Sequence, residues 1–153
     1  MDVTVINPFI TATVNVLETM AFLKVGTGKP YLKQDNVAKG DVTGVIGLTG
    51  DANGTIAVTF QKDCILGIVS NMFGEKMSEL NHEIADAVGE LSNIISGQAR
   101  RELELSGRHF KAAIPSVVTG KNHTITHYTK GPKIAIPFKT KKGGFTIEVC
   151  FEK

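Results

Sequence analysis

Residues 81–107 read NHEIADAVGELSNIISGQARRELELSG. This stretch predicts one long helix of about seven turns, which begins near Ser78 or Asn81 and ends at Gly107. One face of the helix is apolar, with residues at three- and four-residue spacing: Ile84, Val88, Leu91, Ile95 and Ala99. Such a face must be buried, so the rest of the chain has to supply an apolar layer for it.

Alternating and β-branched stretches around this helix predict that layer as strands. They lie near residues 30–33, 42–49, 55–60, 112–118, 123–128, 133–138 and 144–151. A first helix is predicted for residues 8–24, with Asn7 as its cap and Pro8 in its first turn. A short helix is predicted for residues 63–73, and Gly74 ends it.

The order of these elements repeats. A helix followed by strands and a hairpin occurs in residues 8–60 and again in residues 81–151, although sequence identity between the halves is slight. The pattern indicates an internal duplication of structure rather than a solenoid repeat. We expect an α+β fold, with two long helices packed on one antiparallel sheet, in a single domain over residues 1–153.

Charge and composition exclude several functional classes. The 17 Lys and Arg residues against 15 Asp and Glu leave a net charge of +2, too weak to predict nucleic-acid or membrane binding by bulk attraction. The most apolar stretch, residues 3–23, contains polar residues and lacks a basic start and a cleavage site. We therefore expect a cytoplasmic protein. Cys64 and Cys150 lie in apolar segments and are expected to be buried free thiols.

Two possible ligand motifs are weak. His123 and His127 would share a strand face, but no Cys, Asp or Glu accompanies them in that segment, and a zinc site needs three or four ligands. Residues 26–29, Gly-Thr-Gly-Lys, lack the full spacing of a phosphate-binding loop, and a turn explains them. We expect no metal site and no cofactor.

The side of the long helix opposite its apolar face carries a polar stripe. Asp86, Glu90, Asn93 and Gly97 follow one another at spacings of four, three and four residues and face solvent. Gly97 and the nearby Gly89 each cost roughly 0.5–1 kcal/mol relative to alanine in a helix interior. Either a partner approaches this face closely, or the glycines pack against a neighbouring element. Spacing alone leaves both interpretations open.

This stripe has a family resemblance. The pattern Asp86-x-x-x-Glu90-x-x-Asn93 resembles the signature of the CheC, CheX and FliY phosphatases of bacterial chemotaxis, and Gly97 and Pro115 extend the match. Pro115 follows Asn93 after 21 intervening residues, one fewer than is usual in that family. The family resemblance predicts that these five residues form or support one active site.

The resemblance covers nearly the whole chain and is nearest to CheX. Residues 8–24 and 68–74 also look like CheX-type sequences. CheC proteins often carry a second Glu-x-x-Asn on the first helix, whereas here Asn15 precedes Glu18, with the two residue types exchanged. The resemblance therefore implies a single active site, and Asn15 and Glu18 are interpreted as polar residues of a mostly buried helix.

The resemblance implies hydrolysis of the aspartyl phosphate on a CheY-like receiver domain of a response regulator. Asn93 would orient the attacking water with its amide, and Glu90 would pair with the receiver's lysine near the phosphate. Magnesium would be held by the receiver and not by this chain. Phosphoryl transfer depends mainly on in-line positioning and charge stabilisation, which an amide can assist. Arg100 and Arg101 could bind an acidic receiver surface, or could simply be solvated.

Two alternative functions stay open at this stage. One is a non-catalytic module that binds a receiver or a flagellar-switch component through the same stripe. The other is a ligand-binding domain that uses the space between helices and sheet, although nothing in the sequence marks its ligand.

We also expect a homodimer, because CheX-like proteins dimerise through their sheets. The final hairpin, residues 133–138 and 145–151, pairs strongly and has no evident cover, and Pro137 indicates an edge or a bulge. The alternative is a monomer whose edges are protected by lysines: Lys133, Lys139, Lys141 and Lys142.

Overall fold

The computed structural model describes residues 3–127 and 130–152. Its helices are α1 (Val3–Met20), α2 (Lys62–Phe73) and α3 (His82–Leu105). Its strands are β1 (Gly26–Thr27), β2 (Tyr31–Lys33), β3 (Val42–Gly50), β4 (Gly54–Phe60), β5 (Phe110–Ala112), β6 (Ser116–Thr119), β7 (Lys133–Thr140) and β8 (Gly143–Phe151). The long helices α1 and α3 each precede a run of strands, and the internal duplication inferred from that order stays a prediction.

In the described residues the strands form one antiparallel sheet in the order β1-β7-β8-β4-β3-β5. Two further short strands share its edges, because β2 also pairs with β7 and β6 also pairs with β3. Apolar residues meet across the central strands, as where Ile56 of β4 faces Ile46 of β3 and Val149 of β8. The predicted α+β architecture, with two long helices and an antiparallel sheet, is confirmed.

The helices cover one face of this sheet and enclose the main core. Helix α3 contacts β3, α1 packs along α3, and α2 contacts β8. Alternate strand residues point into this layer, because successive side chains of a strand face opposite sides. Fully buried examples are Ile46, Ile56, Val58, Ile136, Ile147 and Val149.

Loops cover part of the opposite face of the sheet. A smaller apolar cluster there joins Ala38 and Ile125, from the loops, to Val45 and Ala57, from the sheet. The loops that carry Ala38 and Ile125 therefore pack on the face of the sheet that the helices do not cover.

The same face holds a buried charged group. Glu148 accepts hydrogen bonds from Lys33 Nζ at 2.6 Å and from His127 Nε2 at 3.1 Å. Burial raises the pKa of Glu148, but the bonds from His127 and Lys33 outweigh that effect and hold the pKa below its ordinary value. The charges therefore compensate one another beneath the loops.

Helix α1 differs from the prediction at both ends. It begins at Val3 rather than at residue 8, so Asn7 is not its cap and Pro8 lies inside it. The additional turn buries Val5 and Ile6, and that burial offsets the hydrogen bond that proline cannot make. At the other end the helix stops at Met20, four residues earlier than predicted.

A left-handed residue produces that early end. Phe22 has φ 55°, and the backbone N–H of Leu23 turns back to the Leu17 carbonyl at 3.3 Å. The turn places Leu23 in the core at 6% exposure, so tertiary burial decides where the helix ends.

Two strand predictions are wrong. The segment 112–118 divides into β5 and β6 around Ala113–Pro115, since proline has no N–H for a sheet ladder. Residues 123–127 form only the isolated bridge between Thr124 and Val37, and Tyr128 lies outside the described residues. Residues 26–27, expected to be part of a turn, form the short strand β1.

The final hairpin does not lie at an edge. Strand β8 is central, and β7 carries β1 and β2 on its outer side. Pro137 falls between the stretches that pair with these two short strands, and its carbonyl accepts from Gly28 N at 2.7 Å. The expected edge at Pro137 is therefore present only on the outer side of β7, in the gap between β1 and β2. On the other side Pro137 stays paired in register with Thr146 of β8, so there is no bulge.

The thiol prediction is confirmed, because Cys64 and Cys150 are buried and form no disulfide bond within the described residues. Burial raises the pKa of Cys64 to about 11. Within residues 3–127 and 130–152, no helix combines the length and apolar character that a membrane span requires.

Candidate active site

Helix α3 is fixed by a cap at its start and by its buried face. The Asn81 side chain accepts from the backbone N–H of Ile84 at 3.2 Å, so Asn81, rather than Ser78, caps the helix. Ile84, Leu91 and Ile95 are at most 1% exposed. The opposite side of the helix is therefore held in a fixed direction toward solvent.

The predicted stripe lies on that outer side. Asp86, Glu90 and Asn93 are exposed, and Gly97 is half-buried. At about 100° per residue, Asp86 and Asn93 point within about 20° of each other, and Glu90 is one turn from Asn93. We call these four residues the α3 ridge. The structure thus brings together every site residue predicted on this helix.

The two polar groups at the centre of the ridge are available to a partner. In the part of the chain that the structure describes, neither Glu90 nor Asn93 uses its side chain in a hydrogen bond or an ion pair. An asparagine amide can donate from Nδ2 and accept at Oδ1, and a carboxylate accepts at both oxygens. Glu90 and Asn93 therefore offer one carboxylate and one amide, a single helical turn apart.

Pro115, the fifth predicted residue, flanks the ridge at Gly89. A Cβ added at Gly89 would lie 3.9 Å from Pro115 Cγ and 3.5 Å from Val117 Cγ2. These are ordinary contact distances, so the loop between β5 and β6 rests against the helix beside Glu90. This agrees with the interpretation that Gly89 packs against a neighbouring element.

That loop carries an apolar residue that the sequence analysis missed. Ile114, next to Pro115, is 90% exposed. The sequence did contain a sign of this exposed residue, because an isoleucine directly before a proline lies at the break between two short strands. The exposure of Ile114 was missed because residues 112–118 were predicted to form one continuous strand.

Gly97 differs from Gly89 because no packing contact within the described part of the chain requires a glycine there. The nearest atom to a Cβ at this position is Arg100 Nη2, at 3.8 Å, the end of a flexible side chain. The space above Gly97 is therefore open toward solvent. Of the two interpretations of the glycines, close approach by a partner fits Gly97.

The first helix supplies no matching pair. Asn15 and Glu18 are both exposed, on the solvent side of α1 rather than within its buried part. Asn15 Nδ2 donates to Gln98 Oε1 of α3 at 3.0 Å. The amide of Asn15 is therefore engaged in packing α1 on α3, unlike the amide of Asn93.

The two histidines considered as metal ligands have other contacts. His123 Nε2 lies 2.6 Å from Thr43 Oγ1, and His127 contacts Glu148. Among residues 3–127 and 130–152, no group of three or more His, Cys, Asp or Glu side chains is arranged to hold a metal ion.

Comparison with known proteins places this geometry in a family. The family model described as chemotaxis phosphatase CheX matches residues 42–139, which include all of α3 and Pro115. The chain belongs to the CheX family. The resemblance inferred from the ridge is thereby confirmed.

Individual relatives agree with this assignment. The CheY-P phosphatase CheX of Thermotoga maritima is 28% identical over 129 residues, which is 84% of this chain and 83% of that protein. The chemotaxis protein CheX of Desulfovibrio desulfuricans is 52% identical over 97% of this chain and 99% of that one, with a TM-score of 0.90. A complex of CheX with CheY, BeF3 and Mg2+ from Borrelia burgdorferi matches at 25% identity over 97% of both chains, with a TM-score of 0.82.

Proposed function

We propose that this protein hydrolyses the aspartyl phosphate of a CheY-like receiver domain. The observation that carries the proposal is the pair Glu90 and Asn93 in a chain of the CheX family. Both are exposed on one side of α3 and have no side-chain partner within residues 3–127 and 130–152. Since the Thermotoga relative is a CheY-P phosphatase and the Borrelia relative binds CheY, the same substrate class fits this ridge.

In this proposal Asn93 positions the nucleophile. Its Oδ1 accepts a hydrogen bond from a water molecule, and its Nδ2 donates to a phosphoryl oxygen. Asparagine cannot accept a proton as a general base, so it contributes by orienting the water molecule. Correct orientation of the nucleophile accelerates phosphoryl transfer. The water oxygen bonds to phosphorus, the bond from phosphorus to the aspartyl oxygen breaks, and the carboxylate leaves with the electron pair while the water's protons pass to phosphate and solvent.

Glu90 has the complementary role of holding the receiver. Its carboxylate pairs with a cationic side chain of the receiver beside the phosphorylation site, which brings Asn93 into line with the phosphorus. Magnesium belongs to the receiver in this scheme, as in the Borrelia complex, where CheY is accompanied by Mg2+. Asp86, Gly97 and Pro115 support the ridge around these two groups.

Turnover tests the proposal. A receiver phosphorylated with acetyl phosphate in magnesium buffer is mixed with a hundredth of its concentration of this protein, and phosphate release is followed after the acetyl phosphate is removed. We expect release well above the receiver's own rate, with many phosphates per molecule of protein. Binding without acceleration would instead favour the non-catalytic receiver-binding module.

We also propose that the protein is a homodimer formed through a sheet edge. At the β2 edge Tyr31 is 50% exposed and Leu32 is 58% exposed, and an unpaired edge recruits another strand. Light scattering should give about twice the 16.4 kDa chain mass, and Leu32→Lys should lower that value. A mass of 16.4 kDa that stays constant on tenfold concentration would contradict the dimer.

A further inference from the structure

Arg100 lies in line with Asn93 on α3. A seven-residue step returns a helix to within about 20° of its starting direction, so the two side chains leave the same side. Long side chains on a helix run back toward its N-terminus. Arg100 does so, since its Nη2 lies 3.8 Å from the position of a Cβ on Gly97. The guanidinium therefore lies one helical turn beyond Asn93, beside the open glycine.

The Arg100 guanidinium has no partner among the residues that the structure describes. Within the described residues Arg100 makes no hydrogen bond or ion pair, and its Nε is buried and unpaired. Nη1 and Nη2 are not among the buried atoms that lack a partner, and since Arg100 makes no hydrogen bond in the described residues, both are open to solvent. Glu104, the acidic residue one turn after Arg100, does not pair with it. Its Oε1 lies 3.9 Å from His109 Nδ1. Nε is enclosed by the protein, so an anion would bind at the Nη groups, whose hydrogen-bonding capacity is unused in the described residues.

Gly97 makes this guanidinium reachable. Within the described residues no side chain separates Asn93 from Arg100 on this side of α3, because the intervening position is Gly97, with open space above it. A protein surface that lies on Asn93 can therefore also touch the guanidinium. Arg101, the next residue, is exposed and points about 100° away.

We propose that Arg100 is a receiver-binding residue, whose guanidinium takes an anionic oxygen at the phosphorylation site of the docked receiver. The inference rests on the proposed phosphatase function and extends it. Guanidinium groups bind phosphoryl and carboxylate oxygens through charge-assisted, often paired hydrogen bonds. Arg100 thus adds a cation to a ridge whose other polar groups are the carboxylates Asp86 and Glu90 and the amide Asn93.

The matched pair Arg100→Gln and Arg101→Gln tests this assignment, because both variants lose one positive charge from adjacent positions of α3. Dephosphorylation of an acetyl-phosphate-treated CheY-type receiver is measured over a range of receiver concentrations. We expect Arg100→Gln to raise KM at least about tenfold with a smaller change in kcat, and Arg101→Gln to change KM less than about threefold. Arg100→Lys should raise KM less than Arg100→Gln does, since lysine keeps the positive charge but cannot form the paired hydrogen bonds of a guanidinium.

Affinity for the receiver with and without BeF3 and Mg2+ distinguishes the two possible oxygens. If Arg100 contacts the phosphoryl group, Arg100→Gln weakens binding only of the BeF3-loaded receiver. If it contacts a carboxylate of the site, the variant weakens binding of both forms equally. Either pattern supports the assignment, provided that thermal unfolding shows the variant to be folded.

Equal KM values for the wild-type protein and Arg100→Gln, or equal changes in Arg100→Gln and Arg101→Gln, would overturn the inference while leaving the phosphatase intact. Failure of the wild-type protein to accelerate phosphate release would overturn the proposed function itself, and this inference with it. The two failures are therefore distinguishable in one set of assays.

Discussion

Gly44 of β3 lies directly against Ser92 of α3. A Cβ at Gly44 would come within 2.2 Å of Ser92 Oγ, which itself donates to the Val88 carbonyl at 2.7 Å and is buried. The absence of a side chain at this one position lets α3 lie close on the sheet. Since Asn93 follows Ser92 directly, the contact also sets the height and rotation at which the ridge is presented.

The first prediction follows from that contact. Gly44→Ala should destabilise the fold by about 1–3 kcal/mol, because the added methyl group forces α3 away from β3. It should also lower phosphatase activity through displacement of the ridge. Urea unfolding and the phosphate-release assay measure the two effects. An unchanged unfolding midpoint would show that α3 can shift without loss.

Gly97→Ala is the matched substitution on the solvent side of the same helix. We expect it to stabilise the protein by about 0.5–1 kcal/mol, because alanine favours helix and the space above Gly97 is open. We also expect a higher KM for the receiver, because the methyl group stands where the partner approaches. Stabilisation with an unchanged KM would remove Gly97 from the interface.

The ridge itself could be predicted from the sequence because helix periodicity is local. Asn81, the apolar positions and the stripe from Asp86 to Gly97 all follow from spacing within one element, and the structure places them as expected. The seven-residue interval from Asn93 to Arg100 likewise predicts that both side chains leave the same side of α3. The spacing could not indicate that Arg100 Nε is buried and has no partner among the described residues, because this depends on how α3 is packed.

Predictions that depended on distant contacts were wrong. Pro8 is normally a residue of the first turn, but the burial of Val5 and Ile6 extends α1 past it. Residues 123–127 alternate like a strand, yet they pack over the back of the sheet, where Ile125 joins the second cluster and His123 contacts Thr43. The strand propensity of residues 123–127 could not show that this segment would cover the face of the sheet that lacks helices.

Glu148 predicts a dependence of stability on pH. Its pKa is held below the ordinary value of 4.5, so its contribution to stability is fully present above that pH and is lost as pH falls through the lowered pKa. Glu148→Gln should therefore cost roughly 3–5 kcal/mol near neutral pH, since it leaves Lys33 and His127 without their acceptor. Urea midpoints from pH 7 to pH 3 should converge for the two proteins. Parallel curves would assign the acid sensitivity to other groups.

Glu90→Gln separates receiver binding from catalysis. The variant keeps the shape of the side chain and removes the charge that pairs with a receiver cation, so we expect affinity to fall roughly tenfold. Glu102→Gln is its control, because Glu102 is an exposed carboxylate on another side of α3. Titration calorimetry with a BeF3-loaded receiver measures both. Equal affinities in the two variants would exclude the proposed pairing.

Asn93 is the central claim of the proposed mechanism. Asn93→Ala should fold like the wild-type protein, because the side chain is exposed and makes no contact that the fold needs in the described residues. Asn15→Ala is the matched control, as it removes an exposed asparagine from the other long helix.

The most direct test is the initial rate of phosphate release from a phosphorylated receiver with catalytic amounts of each protein. We expect Asn93→Ala to lose at least about a hundredfold of the acceleration, through kcat, since an amide that orients the nucleophile acts mainly on that step. Asn15→Ala should stay within about twofold of wild type. Full acceleration by a folded Asn93→Ala protein would contradict the mechanism.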